Sequence, residues 1–186
     1  MLEFVQGKLH DLSAHTKNQL FGYRHQVFVN QLGWDLNTSG DVETDQFDHD
    51  GSVYVMAKDT ENDIVGCARL LPTTEPYLLE CVFPELLNGM PPPKENTTWE
   101  LSRFTSMDLK SKQSISPGQL SSPSTESLLR KSMAVARNHG AKRMISVSPI
   151  GIERLLRKMN IVAHRAGPPK IINGYPLIAC WIDLNQ

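Results

Sequence analysis

Cysteine is scarce in this chain of 186 residues: Cys67, Cys81 and Cys180 are odd in number and far apart. The spacing fits neither a metal-ligand pattern nor a disulfide framework, so all three are expected to be buried, reduced thiols in a cytoplasmic protein, with no metal site. Long apolar runs are missing too, and none approaches the roughly 18 residues of a membrane span, so no membrane association is expected. The N-terminal MLEFVQGKLHDLSAHT lacks a basic region followed by an apolar core, so no signal peptide is expected. Net charge is only −1. Neither a helix-turn-helix pattern nor a concentrated basic helix is present, so nucleic acid is not an expected partner. Internal repeats and low-complexity tracts are also absent. What remains, 40% apolar and 21% charged residues, reads as one globular domain over residues 1–186.

Charge is unevenly spread. Asp35 to Asp63 holds nine acidic residues and one basic one, Lys58, whereas Glu126 to Lys170 holds ten basic residues and two acidic ones. One surface therefore suits a cationic ligand and the other an acidic partner, or both are simply solvated.

Hydrophobic spacing predicts a helix over residues 14–30, with Leu20, Tyr23, Val27 and Phe28 on one face and Gly33 as its stop. The polar run 35–50 reads as a loop. SVYVMAKD and IVGCARLL form a hairpin, PELLNG a short helix, and PPPKENTT a rigid loop entering WELSRF. The serine-rich stretch 107–122 reads as a flexible loop. A helix over 124–140 is capped by Ser124 or Thr125 and ended by Gly140. RMISVSP is a strand, GIERLLRKM a helix, and IVAHRAG and YPLIACWIDL are closing strands. The result is a mixed α/β domain with helices on a twisted sheet. Its order is similar to that of GNAT-like acyltransferases, which implies splayed central strands admitting an acyl-pantetheine arm.

WELSRF (99–104) places Glu100, Ser102 and Arg103 among bulky apolar neighbours. Strict strand alternation puts Glu100 and Arg103 on opposite faces, and one extra bulge residue turns both towards a cleft. Three further blocks carry polar chemistry: YRHQVFVNQLGW with Arg24, Phe28 and Trp34, ETDQFDHD with Asp45 and Asp48, and GCARLLPTT with Arg69. Singly, each has an ordinary structural explanation: a solvated arginine, a core lid, turn-capping aspartates, a Glu–Arg pair.

Together the four blocks closely resemble the LuxI-type acyl-homoserine-lactone synthases. The likeness runs from about Tyr23 to Trp181 and includes LLPTTEPYLL, VFPELL, GMPPP and IERLLRK. It implies an acyltransferase that joins an acyl group from acyl carrier protein to the amine of S-adenosylmethionine. The product then lactonises and releases methylthioadenosine. S-adenosylmethionine is a substrate, and no cofactor is implied.

The residue types suit that chemistry. Trp34 can face the sulfonium by cation–π attraction. Asp45 and Asp48 can hold the α-amine, and Arg24 or Arg69 can pair with the carboxylate. Phe28 can pack on the adenosyl portion. Glu100 is the general-base candidate, with Arg103 and Ser102 organising the network. Leu101, Phe104, Met107, Val147, Ser148 and Ile150 are expected to line an acyl pocket, with Met133 and Leu155 nearby. Ser148 lies where relatives carry a hydroxyl associated with 3-oxo chains. Arg154, Arg157 and Lys158 on one short helix suit docking of an acidic carrier protein, with Lys142 and Arg143 as second candidates.

Two alternatives stand beside this reading. A GNAT N-acyltransferase acting on another amine with acyl-CoA usually has a glycine-rich pyrophosphate loop after the central strand. Here no glycine follows WELSRF until Gly118. A sensor of S-adenosylmethionine or of an acyl ligand would bind without turnover.

Overall fold

Burial on both sides of the same strands sets the architecture. The structure, a computed structural model, describes residues 2–110 and 123–184. Strand β4 (Val53–Lys58) is buried at every position, and β5 (Ile64–Pro72) at all but its last. Both read as near-continuous apolar runs because helices cover the two faces of the sheet. Around them the strand order is β1-β4-β5-β6-β7-β10-β8. Here β1 is Glu3–Lys8, β6 Thr98–Thr105, β7 Arg143–Pro149, β8 Ala163–Arg165 and β10 Tyr175–Asp183. A short strand, β9 (Lys170–Ile172), pairs with the start of β10.

One face is covered by helix α3 (Pro123–Asn138) and helix α4 (Ile152–Lys158). Leu128, Leu129, Met133, Leu155 and Leu156 pack there against Val53, Val55, Ala68, Leu70 and Leu101. The other face is covered by α1 (Ala14–Arg24) and its continuation over His25–Gln31, where Leu20, Tyr23, Val27 and Phe28 meet Tyr54, Met56 and Cys67. A second cluster on that face joins Leu71 and Ile145 to Tyr77 and Leu79, carried by α2 (Leu78–Val82) and the turn before it.

Two irregularities in the central strands create a cleft. β6 runs parallel to β7 only from Thr98↔Arg143 to Leu101↔Ser146. Beyond that point the strands part, and Phe104, Val147 and Ser148 on the two arms are only half-buried. On its other edge β6 slips by one residue, since Arg69 opposes Ser102 but Cys67 opposes Thr105. Arg103 sits in this bulge with a left-handed φ of 49°, and its carbonyl accepts from the Cys67 thiol. The extra residue brings Arg103 to the α1 face beside Glu100 and Ser102, as the WELSRF reading required.

Several expectations need correction. The first helix is α-helical only to Arg24 and continues over His25–Gln31 with the wider i→i+5 hydrogen bonding of a π-helix. The 35–50 loop contains a minimal hairpin, β2 (Thr38–Ser39) and β3 (Val42–Glu43), turned by Gly40 at φ 60°. Strands β1 and β9 and helix α2 were not expected from the sequence. Cys67 and Cys180 are buried free thiols, but Cys81 is exposed. It lies on the outer side of α2, a helix too short to bury more than Leu79. Residues 111–122 of the expected 107–122 loop lie outside the described residues. Among the described residues no helix is long and apolar enough to cross a membrane.

Candidate active site

Three arginines converge beneath α1. Arg24 comes from the end of α1, Arg69 from β5 and Arg103 from the β6 bulge. Arg24 and Arg69 have no exposed surface, so each charge requires a partner. The acidic segment supplies three. Arg24 donates from Nε to Glu43 at 2.6 Å and from Nη1 to Asp48 at 2.7 Å. Arg69 donates from Nη1 to Asp45 at 2.6 Å and to Asp48 at 2.8 Å. Arg103 Nη2 donates to Glu43 at 2.9 Å and lies 2.8 Å from Asp45. Three guanidiniums and three carboxylates thus form one charge-balanced cluster.

The surroundings fix this cluster. The Tyr54 hydroxyl donates to Asp48, and Arg69 Nε donates to Ser102 Oγ at 3.1 Å. Burial alone would push the Asp48 carboxyl up. The Arg24 and Arg69 guanidiniums outweigh it and hold that carboxyl well below its usual range. Glu43 is likewise lowered, its burial overcome by hydrogen bonds from Arg24 and Arg103. One donor of the cluster is left over: Arg24 Nη2 is buried and makes no hydrogen bond among the described residues.

Aromatic rings lie against the cluster. Phe28 and Trp34 stack with centroids 4.9 Å apart, and the Arg103 guanidinium sits over Phe28 at 5.6 Å. Phe28 is buried, whereas Trp34 is 37% exposed. Trp34 is placed by its own backbone, whose N–H donates to the Phe28 carbonyl at 2.9 Å where the π-helical segment ends.

Glu100 is fully buried on β6. Its two oxygens accept from the Leu78 and Leu79 N–H groups at 3.0 and 2.7 Å, which fastens the first turn of α2 to the sheet. Burial pushes its carboxyl up to about 7, against the opposing pull of those two bonds and of Arg69. A carboxyl that titrates near neutrality beside a cluster of fixed charges is equipped to exchange a proton.

The structure therefore brings together Arg24, Phe28, Trp34, Asp45, Asp48, Arg69, Ser102 and Arg103, with Glu100 on the same face of β6. It adds Glu43 and Tyr54, which the sequence reading passed over. Glu43 opens ETDQFDHD and shares its acidic character with Asp45, so a signal existed. Tyr54 is recruited only by its cross-strand pairing with Arg69, which no local pattern announces.

The six residues expected to line an acyl pocket do not converge. Leu101 and Phe104 belong to the α3 side of the sheet, Met107 to the α1 side, and Val147 packs beside Ile145. Successive strand residues face opposite ways, so Val147 and Ser148 cannot share one pocket wall. Ser148 lies with its hydroxyl 3.0 Å from that of Ser146, and Ile150 is 38% exposed. Arg154, Arg157 and Lys158 are all exposed on α4, and Lys142 and Arg143, at the start of β7, are exposed too. Arg143, however, is bonded to Glu95 at 2.7 Å.

Known proteins resemble this chain in sequence and fold. The family model described as autoinducer synthase matches residues 8–186. An acyl-homoserine-lactone synthase from Acinetobacter baumannii is 47% identical over 98% of this chain and 100% of its own length. The crystal structure of TofI in a ternary complex with an inhibitor and MTA superposes with a TM-score of 0.84 at 39% identity, covering 98% of this chain and 91% of that one. MesI, a CoA-dependent acyl-homoserine lactone synthase, gives a TM-score of 0.82 at 26% identity, covering 98% and 89%. The expected GNAT-like fold holds as well. The chain belongs to the autoinducer synthase family, the acyltransferases that make acyl-homoserine lactones.

Proposed function

We propose that this enzyme transfers an acyl chain from acyl carrier protein to the amine of S-adenosylmethionine, and that ring closure then releases methylthioadenosine. The carrying observation is the charge-balanced cluster beneath Phe28 and Trp34, set where β6 and β7 part. S-adenosylmethionine presents a sulfonium, an ammonium and a carboxylate, and the cluster offers partners for each. Trp34 faces the sulfonium. Asp45 and Asp48 receive the ammonium by exchanging part of their bonding to Arg69. Arg24, whose Nη2 has no partner among the described residues, and Arg69 receive the carboxylate. TofI, 39% identical, is crystallised with MTA, which supports a methylthioadenosine site in this cleft.

The amine becomes nucleophilic on losing a proton to Glu100, directly or through a water. It then attacks the thioester carbonyl, and the carrier thiol departs. The substrate carboxylate next attacks its own γ-carbon, the C–S bond breaks, and the sulfonium leaves as a neutral thioether. That step is intramolecular, so holding a folded conformer supplies much of its acceleration. Neither step moves electrons to an acceptor, so no resident cofactor or metal is proposed. The donor arm enters between the β6 and β7 arms, with its acyl chain towards Leu101, Phe104, Ser148, Met133 and Leu155. Arg154, Arg157 and Lys158 face the acidic carrier. The free thiols fit a reducing, cytoplasmic setting.

The test supplies purified enzyme with S-adenosylmethionine and acyl carrier proteins of increasing chain length, plain and 3-oxo. Thiol release is followed and the product identified by mass spectrometry. An acyl-homoserine lactone from a carrier donor is the expected result, and turnover of acyl-CoA alone would overturn the carrier assignment. Trp34→Ala should raise the KM for S-adenosylmethionine between about twofold and thirtyfold. Trp34 stacks on Phe28, so the unfolding temperature should also fall, by about 2–6 °C for the lost aromatic pair. An unchanged KM would remove Trp34 from sulfonium recognition.

A further inference from the structure

Strand β7 continues past the cleft into an exposed apolar surface that the reaction does not use. After Pro149 the chain passes Ile150, whose N–H donates to the Pro176 carbonyl at 3.2 Å. Pro176 is paired across the β9–β10 ribbon with Ile171. Ile150 is 38% exposed and Ile171 72%. The ribbon is closed by Asn173 and Gly174, both at positive φ, a tight turn whose twist matches its strands. Two residues beyond Pro176, Ile178 points into the core beneath α3 and α4. Pro176 and Ile171 therefore lie on the α4 side of the sheet. There Arg154, Arg157 and Lys158 make no ion pair among the described residues. The one acid of α4, Glu153, is held by Arg165 through two bonds of 2.6 Å.

An apolar knob beside cations that form no ion pair among the described residues has the anatomy of a docking surface, an apolar centre with a charged rim. It lies at the end of the β7 arm, where Ser148 and Pro149 pair with Ile178 and Leu177. We propose that Ile150, Pro176 and Ile171 form the apolar half of the docking site for the acylated carrier protein, an acidic partner steered there by the α4 cations. The inference rests on the carrier-donor reading above and deepens it. The cations set encounter and the apolar contact sets residence. A small thioester, which carries no protein surface, gains nothing from either.

The test uses the full chain with Ile171→Ser and Ile171→Glu. Steady-state rates are measured with an acyl carrier protein and with the matching acyl-CoA at saturating S-adenosylmethionine. The expected result is a fall of about tenfold in kcat/KM for the carrier, carried by KM and larger for the glutamate. The rate with acyl-CoA and the unfolding temperature should be unchanged. An unaltered carrier KM overturns the proposal, and so does an equal fall with both donors, since the hairpin would then act through the fold or the cleft. A wild type that accepts acyl-CoA but no carrier overturns both this and the donor reading. That failure is seen in the unsubstituted enzyme and is thus distinguishable from failure of the hairpin alone.

Discussion

Replacing Glu100 with glutamine is expected to lower lactone formation by about 100- to 10,000-fold, the range for loss of a positioned general base. Glutamine matches glutamate in size and keeps one acceptor oxygen for the two N–H groups of Leu78 and Leu79. Its NH2 meets the other N–H, so α2 loses one anchor. Thermal unfolding must therefore be measured alongside the rate. The pH profile separates catalysis from anchoring. With a carboxyl near 7, kcat/KM should rise with pH and level off above neutrality, and the residual activity of the variant should lose that limb. A variant with near-normal turnover would leave Glu100 as an anchor of α2 alone.

The same carboxyl predicts a stability change of definite sign. Its folded pKa lies above the ordinary 4.5, so the folded state holds the proton more tightly. The stabilising effect of that proton is complete below about 4.5 and is lost as pH rises through about 7, a change of about 3 kcal/mol. Wild-type stability should thus fall relative to Glu100→Gln across this window. Asp48 works in the opposite sense at lower pH. Its stabilisation is present above the ordinary carboxylate range and is lost as acid titrates it. A pH-independent difference between wild type and Glu100→Gln would contradict the raised carboxyl.

Arg69→Leu carries the second large effect. It leaves Asp45 and Asp48 without the guanidinium that holds both, and breaking a buried pair from one side costs about 3–5 kcal/mol. For a chain of this size the unfolding temperature should drop by about 10 °C, and S-adenosylmethionine binding should be lost. Arg69→Lys should be intermediate, because one ammonium cannot serve Asp45, Asp48 and Ser102 at once. A loss under about 1 kcal/mol for Arg69→Leu would show that water or a neighbouring arginine takes over both aspartates.

Much of the scaffold follows from local pattern. The β4–β5 hairpin, α3 and β7 declare themselves through apolar runs or helical spacing. So do Arg24, Asp45, Asp48, Arg69 and Arg103, with the aromatic Phe28, as a set in a family-like order. What local pattern missed depends on pairing. β1 gains its strand from β4 alone. β9 was signalled by Asn173-Gly174, but three residues of strand are too few to stand out beside it. The π-helical segment after Arg24 has ordinary helical composition, and only its i→i+5 hydrogen bonding, with Phe28 packed between Trp34 and Arg103, distinguishes it.

The sequence by itself determined which charges exist, their balance, and the α/β order of the elements that carry them. Those properties reside in residue types and short-range periodicity. Tertiary structure alone decided that Glu43 bridges Arg24 and Arg103, that Tyr54 joins Asp48, and that a bulge turns Arg103 to the side of Glu100. It also divided the expected acyl-lining residues between the faces of the sheet. The reason is geometric: a one-residue slip in strand register reverses the side on which a residue lies, and that register is set by partners distant in the chain.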